Sequence, residues 1–301
     1  MKKPLIGVLT ALLLAGATAP AAAAAPSGAQ DRAVSADRAV SVERAASAGQ
    51  AAQAQSAVAV SFAGTVALSN CSGSLVRMPN SAVGDPALVL SNGHCLESGM
   101  PGPGEVVVGQ ASSRTFSLLS STGAKLGTLR AAKVVYGTMT DTDVSLYQLN
   151  TTYAAIQSRY GMAPLTVAAT HPAQGASIKV VSGYWKKIYS CSVDGFAYRL
   201  KEGEWTFKDS VRYTSSCNTI GGTSGSPVVS TATGEVVAVN NTGNEDGESC
   251  TVNNPCEVDQ NGKVTVRQGI NYAQQTYGIP ACFAAGNRLD LTRAGCTLPR
   301  P

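Results

Sequence analysis

The spacing of its apolar runs from Val58 onward restricts this chain most. Short Val/Ile/Leu/Thr/Tyr stretches alternate with clusters of Gly, Asn, Asp, Ser and Pro: "TVALS" (65–69), "GSLVRM" (73–78), "ALVLS" (87–91), "EVVVG" (105–109), "AAKVVYG" (131–137), "DVSLYQL" (143–149), "SIKVVSGYW" (177–185), "SPVVS" (226–230), "EVVAVN" (235–240) and "KVTVRQG" (263–269). Residues 190–216 read as one long hairpin about a Gly-containing turn. Short, evenly punctuated strands predict an all-β barrel or sandwich. A parallel α/β fold is excluded, because strands do not alternate with long helical patterns. The best helical signal is "NYAQQTYG" (271–278), close to the C-terminus.

The N-terminal segment, residues 1–56, has a different character. "MKK" is followed by the apolar "LIGVLTALLLAGA" and then by small residues, the pattern of a secretory leader, expected over 1–25. Residues 26–56 contain the near-repeat "DRAVSADRAVSVERAA", expected to be a prosegment or disordered linker. An exported protein is free to form disulfides, and the chain carries eight cysteines. Sequence order suggests the pairs 71–95, 191–217, 250–256 and 282–296. No C-x-x-C pair occurs, so a zinc site is poorly supported. Charged residues make up 14% of the chain, and two units of its +4 net charge sit on Lys2 and Lys3. That is too little to imply a nucleic-acid partner.

The chain has two histidines. His171 lies in a Pro/Gly loop and reads as a surface residue. His94 follows the apolar strand "LVLSN" and directly precedes Cys95, at a strand end where side chains face a cleft. Asp143 opens an alternating strand. Ser224 lies in "GGTSGSP" (221–227). A nucleophilic serine needs a base, and the base needs an orienting acid. The order His, Asp, Ser is that of one of three known arrangements. The α/β-hydrolase order fails, because no histidine follows Ser224. The subtilisin order has Asp85 before His94, but that fold needs helices which this sequence does not show.

From about residue 57 to the end, the chain resembles a trypsin-like serine protease of the chymotrypsin fold, and among these the secreted bacterial members. "CSGSLV" (71–76) with "LVLSNGHC" (88–95), "DVSLYQL" and "GGTSGSP" carry the resemblance, in the family's order. It implies two six-stranded antiparallel β-barrels, about 57–165 and 166–301, with a short C-terminal helix and the triad at their junction. It also implies a secreted serine endopeptidase in which His94, Asp143 and Ser224 are catalytic. The backbone amides of Gly222 and Ser224 would then form the oxyanion hole. A serine esterase and a non-catalytic binding relative are the alternatives.

The sequence departs from the family at Thr223, where many members carry an aspartate that pairs with a freed N-terminal amine. Threonine cannot make that pair. The oxyanion turn is therefore expected to be set by hydrogen bonds, with no particular new N-terminus required. By position, Asn218 is expected at the pocket floor and Asn241, Thr242 and Gly243 in its wall, favouring a medium or polar uncharged substrate side chain. Arg267 reads as a solvated strand charge. The acidic loop 243–262 offers hard oxygen ligands but no EF-hand spacing. The expected partner is a protein or peptide substrate, acted on by a monomer that uses no cofactor and no metal. No membrane association is expected once the leader is removed.

Overall fold

The structure is a computed structural model that describes residues 57–301; the expected leader (1–25) and linker (26–56) lie outside the described residues. The first half contains β1 (Thr65–Ala67), β2 (Ser72–Arg77), β3 (Pro86–Ser91), β4 (Val106–Ala111), β5 (Thr115–Leu119), β6 (Lys125–Thr138) and β7 (Val144–Thr152). Helix α1 (Tyr153–Tyr160) and β8 (Leu165–Thr166) follow. The second half contains β9 (Ser177–Ser182), β10 (Lys187–Glu202), β11 (Trp205–Tyr213), β12 (Pro227–Ser230), β13 (Val236–Gly243), β14 (Cys256–Val258), β15 (Val264–Val266) and β16 (Asn271–Gln275). The short β17 (Phe283–Ala284) and β18 (Arg288–Leu289) pair near the C-terminus.

The first sheet runs β1-β5-β6-β7-β3-β2, and a β1–β2 pairing closes it into a barrel. The second runs β11-β16-β13-β12-β9-β10, and a β10–β11 pairing closes that ring. Closure leaves neither ring a free edge. The run "ALVL" in β3 shows why such strands are apolar throughout. Ala87 and Val89 face the first barrel's interior with Phe116 and Tyr147. Leu88 and Leu90 face the other way, onto Val144, Leu146, Val236, Val239 and Phe283. Side chains alternate faces along a strand, so an unbroken apolar run marks a strand buried on both sides. Leu88 and Leu90 thus help build the seam between the barrels, where each fully buried aliphatic side chain contributes roughly 1.5–3 kcal/mol.

All four cysteine pairs follow sequence order: 71–95, 191–217, 250–256 and 282–296. The long hairpin forms as β10 and β11, with Gly203 in the left-handed region at its turn.

Three local expectations are corrected. Residues 271–275 form strand β16, not a helix. Tyr272, Ala273 and Gln274 are all buried between β11 and β13, and that pairing overrides the weak helical propensity of a short Gln-rich run. The α-helix lies instead between β7 and β8, both strands of the first sheet, and buries Tyr153 and Ile156 in the first barrel's core. Thr152 caps its start by accepting from the Ala155 N–H, and Gly161 ends it at φ 63°. Finally, the strand expected to run through Trp185 stops at Ser182, and Gly183–Lys186 turn back into β10.

Candidate active site

His94 is held by the turn that follows β3. Asn92 is buried; its side-chain amide donates to the Asp143 carbonyl (2.8 Å) and its own carbonyl accepts from Ser145 Oγ (2.7 Å). Gly93 is required by close approach, since a Cβ there would overlap the Thr138 carbonyl. Cys95 is tied back to Cys71 at the start of β2. Buried Arg114 supports the turn from below, donating to the Cys95 carbonyl, to Asn70 Oδ1 and to the Tyr147 hydroxyl. These contacts fix the backbone on both sides of the imidazole.

Asp143, immediately before β7, is 1% exposed. Its Oδ1 accepts the His94 backbone N–H at 3.0 Å and its Oδ2 lies 2.6 Å from His94 Nδ1. A carboxylate only accepts, so Nδ1 carries the proton and Nε2 is left as the ring's acceptor. Burial pushes the imidazole towards neutrality. The Asp143 charge and hydrogen bond outweigh it, with a smaller contribution from Glu202, and hold His94 above its ordinary value of 6.5.

Ser224 lies in the turn ahead of β12. Gly225 there is pinned at φ 78°, and a Cβ on it would overlap the Ser72 carbonyl and Ser91 Oγ. The serine turn is therefore pressed directly onto β2 and β3, the strand that leads to His94. Thr223 is buried; its hydroxyl donates to the Ile220 carbonyl and accepts from Asn240 Nδ2 (3.1 Å). Asn240 Oδ1 in turn accepts from the Tyr213 hydroxyl. Neutral hydrogen bonds thus occupy the place of an ion pair. The carbonyls of Gly221, Gly222 and Ser224 accept from Trp185 Nε1, Ser72 Oγ and the Ser72 N–H respectively. Among the described residues, the N–H groups of Gly222 and Ser224 donate to no protein acceptor. Ser224 Oγ donates to the Asn241 carbonyl at 3.3 Å. His94, Asp143 and Ser224 line a single cleft.

The family model of the trypsin-like peptidase domain matches residues 71–239, more than half of the chain and all three of these positions. The chain belongs to the trypsin-like peptidase family. Solved structures similar to it include the protease domain of MamO from Magnetospirillum magneticum, at 14% identity and a TM-score of 0.44, covering 70% of this chain and 91% of that one. The Rv3671c protease from M. tuberculosis in its active form is similar at 15% identity and a TM-score of 0.42, covering 79% and 82%. The thermostable serine protease AL20 from an extremophilic microorganism is similar at 16% identity and a TM-score of 0.41, covering 71% and 91%. A search of curated proteins finds no match.

In this trypsin-like peptidase domain, Asn241, Thr242 and Gly243 on β13 line the cleft, together with Gly221 and Ile220. Asn218 does not; it is exposed, and its neighbour Thr219 takes the lining position, donating to Asn271 Oδ1 at 2.8 Å. Arg267 stands away from the cleft and pairs with Glu257 at 3.0 Å. His171 likewise lies elsewhere, 3.2 Å from Asp209.

Glu202 is a further lining residue that no sequence signal revealed. It ends β10 at the tip of the long hairpin and is 9% exposed. Its Oε1 accepts from Thr242 Oγ1 (2.9 Å) and the Asn253 N–H (2.8 Å). Burial raises its pKa against the pull of those hydrogen bonds and of His94. Among the described residues, no Lys or Arg lines the cleft, whereas Glu202, Glu245 and Asp143 do.

Among the described residues, one His/Cys/Asp/Glu group is close enough to hold a metal: Cys71, His94 and Cys95. Its two sulfurs are joined to each other, so they offer no thiolate ligand. In the loop 243–262, Asp259 caps its own turn by accepting from Asn261 and Lys263, and Glu248 accepts from Thr251.

Proposed function

We propose that this member of the family is a secreted serine endopeptidase, with 57–301 as its protease domain after loss of the leader. One observation carries the reading. Half-buried His94, paired with buried Asp143, opens onto the cleft lined by Ser224, whose turn offers two uncommitted backbone N–H groups. The four disulfides support export.

The chemistry follows from the atoms. Ser224 Oγ turns from the Asn241 carbonyl towards His94 as substrate binds; such bonds are often incomplete before binding. Oγ attacks the scissile carbonyl carbon while Nε2 takes its proton. Asp143 keeps the ring in the tautomer that can accept and stabilises the cation that forms. The carbonyl oxygen gains negative charge and receives the Gly222 and Ser224 N–H groups. Removing one such donor costs about 2.7–4 kcal/mol of barrier in a comparable enzyme. The C–N bond then breaks, His94 returns the proton to the leaving amine, and an acyl-enzyme remains. Water attacks that ester by the same route and frees Ser224.

Labelling the mature protein with an organophosphonate, followed by peptide mapping, tests this. A label on Ser224, absent in Ser224→Ala and weakened in His94→Ala, is the expected result. An unlabelled, folded, disulfide-intact protein would sink the proposal and leave a binding module in its place.

A further inference from the structure

A Gly-Gly peptide next to a nucleophile has two faces to offer. In a trans peptide the C=O and the following N–H point in opposite directions. If the Gly221–Gly222 peptide turned over, the Gly221 carbonyl would enter the space where the oxyanion must sit. The Gly222 N–H would leave it. Neither residue has a Cβ to resist that rotation. A Cβ built on Gly221 meets nothing within 4 Å. Something else must fix the orientation, because Thr223 has no carboxylate to do so.

We propose that Trp185 is the positioning residue that holds this peptide in its catalytic orientation, a role that rests on Ser224 being the nucleophile. Its indole Nε1–H donates to the Gly221 carbonyl at 2.7 Å. Trp185 does not line the cleft, so this bond fastens the carbonyl outside it and turns the opposed Gly222 N–H the other way. The ring is also close-packed on the turn, since a Cβ on Gly222 would lie 3.0 Å from Trp185 Nε1 and from Tyr184. Tyr184 stacks edge-on against Trp185, with ring centroids 4.9 Å apart.

The loop that carries the indole is itself packed against the first barrel. Gly183 abuts the Val66 carbonyl closely enough to exclude a side chain. The Tyr184 N–H donates to Ser72 Oγ (3.1 Å) and the Trp185 N–H donates to Ser182 Oγ (3.2 Å). Those two hydroxyls are 3.2 Å apart, and Ser72 Oγ reaches the Gly222 carbonyl. One short loop thus reads the position of β1 and β2 and transmits it to the oxyanion turn. Trp185 is 50% exposed, so this clamp lies at the surface, where a change in the loop reaches it directly.

The test replaces Trp185 by 3-benzothienylalanine, which keeps the ring shape and exchanges N–H for sulfur, with Trp185→Phe as a second variant. A fall in kcat of about three- to tenfold is expected, the loss typical of one neutral hydrogen bond, with little change in KM. Affinity for a peptide boronic acid, whose adduct on Ser224 is tetrahedral and anionic, should fall by the same factor. Affinity for a peptide with a reduced CH2–NH scissile bond should not move, because it brings no carbonyl oxygen. An active wild type whose variants keep their kcat and boronate affinity overturns the proposal. Equal losses for all three ligands also overturn it, because they mean general loosening. A wild type that is neither labelled at Ser224 nor active removes the reading of the site itself, and this role with it.

Discussion

Gly93 and Gly225 make one point at the scale of single residues. Each has neighbouring backbone where a side chain would begin, and each sits beside a functional group. They are there so that the turns bearing His94 and Ser224 can press against the rest of the fold. Asp143 sits within the same packing, and its exchange for Asn isolates its charge. Asp143→Asn should leave the fold intact and lower kcat by roughly 10⁴, because the amide favours the wrong imidazole tautomer. Steady-state kinetics with circular dichroism checks both halves. The pH profile belongs here too. His94 must be neutral to accept a proton, and its pKa is held above 6.5. Activity should therefore be lost as pH falls through a midpoint above 6.5. Glu202 is one of the charges that raise it, so Glu202→Gln should move that limb of the kcat/KM profile to lower pH. An unmoved midpoint would rule out the coupling. The stability effect has the opposite sense. The charged pair stabilises the fold fully below the unfolded value near 6.5 and ceases to do so as pH rises through the folded one.

At the scale of elements, legibility followed the source of the order. β3, β7, β9, β12 and β13 were readable because both of their faces are buried, so composition alone marks them. β5 and the first part of β6 were not, because their mix of Gly, Thr, Ser and charged residues gives no unbroken apolar run. β16 was misread because its partners, not its residues, make it a strand. The candidate residues His94, Asp143 and Ser224, which line one cleft, could be singled out from order and context, whereas Glu202, Thr219 and Trp185 reach the cleft or its turn only through hairpin and loop geometry invisible in one dimension. Arg114 is a further case: a buried cation held by two neutral side chains and a carbonyl has no sequence signature. The Cys71–Cys95 link ties the His94 turn to the segment just before β2. Replacing both cysteines by Ala should cost about 2–4 kcal/mol of stability, by freeing the unfolded chain. It should also lower activity at temperatures where the protein remains folded, because the His94 turn loses one of its ties. Denaturant melts alongside kinetics separate the two effects.

For the whole molecule, the cleft is a property of the seam. His94, Met100, Met139 and Asp143 come from the first half of the chain, and Glu202, Trp205, Thr219, Ser224 and Asn241 from the second. The apolar residues of that seam, such as Leu90, Leu146 and Val239, therefore align the halves as well as stabilise them. The seam also fixes the cleft's field. With Glu202 and Glu245 in its wall and, among the described residues, no Lys or Arg, the cleft meets a substrate with negative charge. Asn241, Thr242 and Thr219 add neutral polar contacts. Uncharged and basic peptides should thus be cut in preference to acidic ones, chiefly through KM. Exposed charges are screened over about 8 Å at physiological salt, so part of that discrimination should fade as ionic strength rises. The part owed to buried Glu202 should persist, since little solvent reaches it. Profiling one peptide library at low and high salt, on the wild type and on Glu202→Gln, resolves the two contributions. A preference for acidic peptides in the wild type would contradict the charge argument outright. A preference untouched by Glu202→Gln would assign it to Glu245 and the rim.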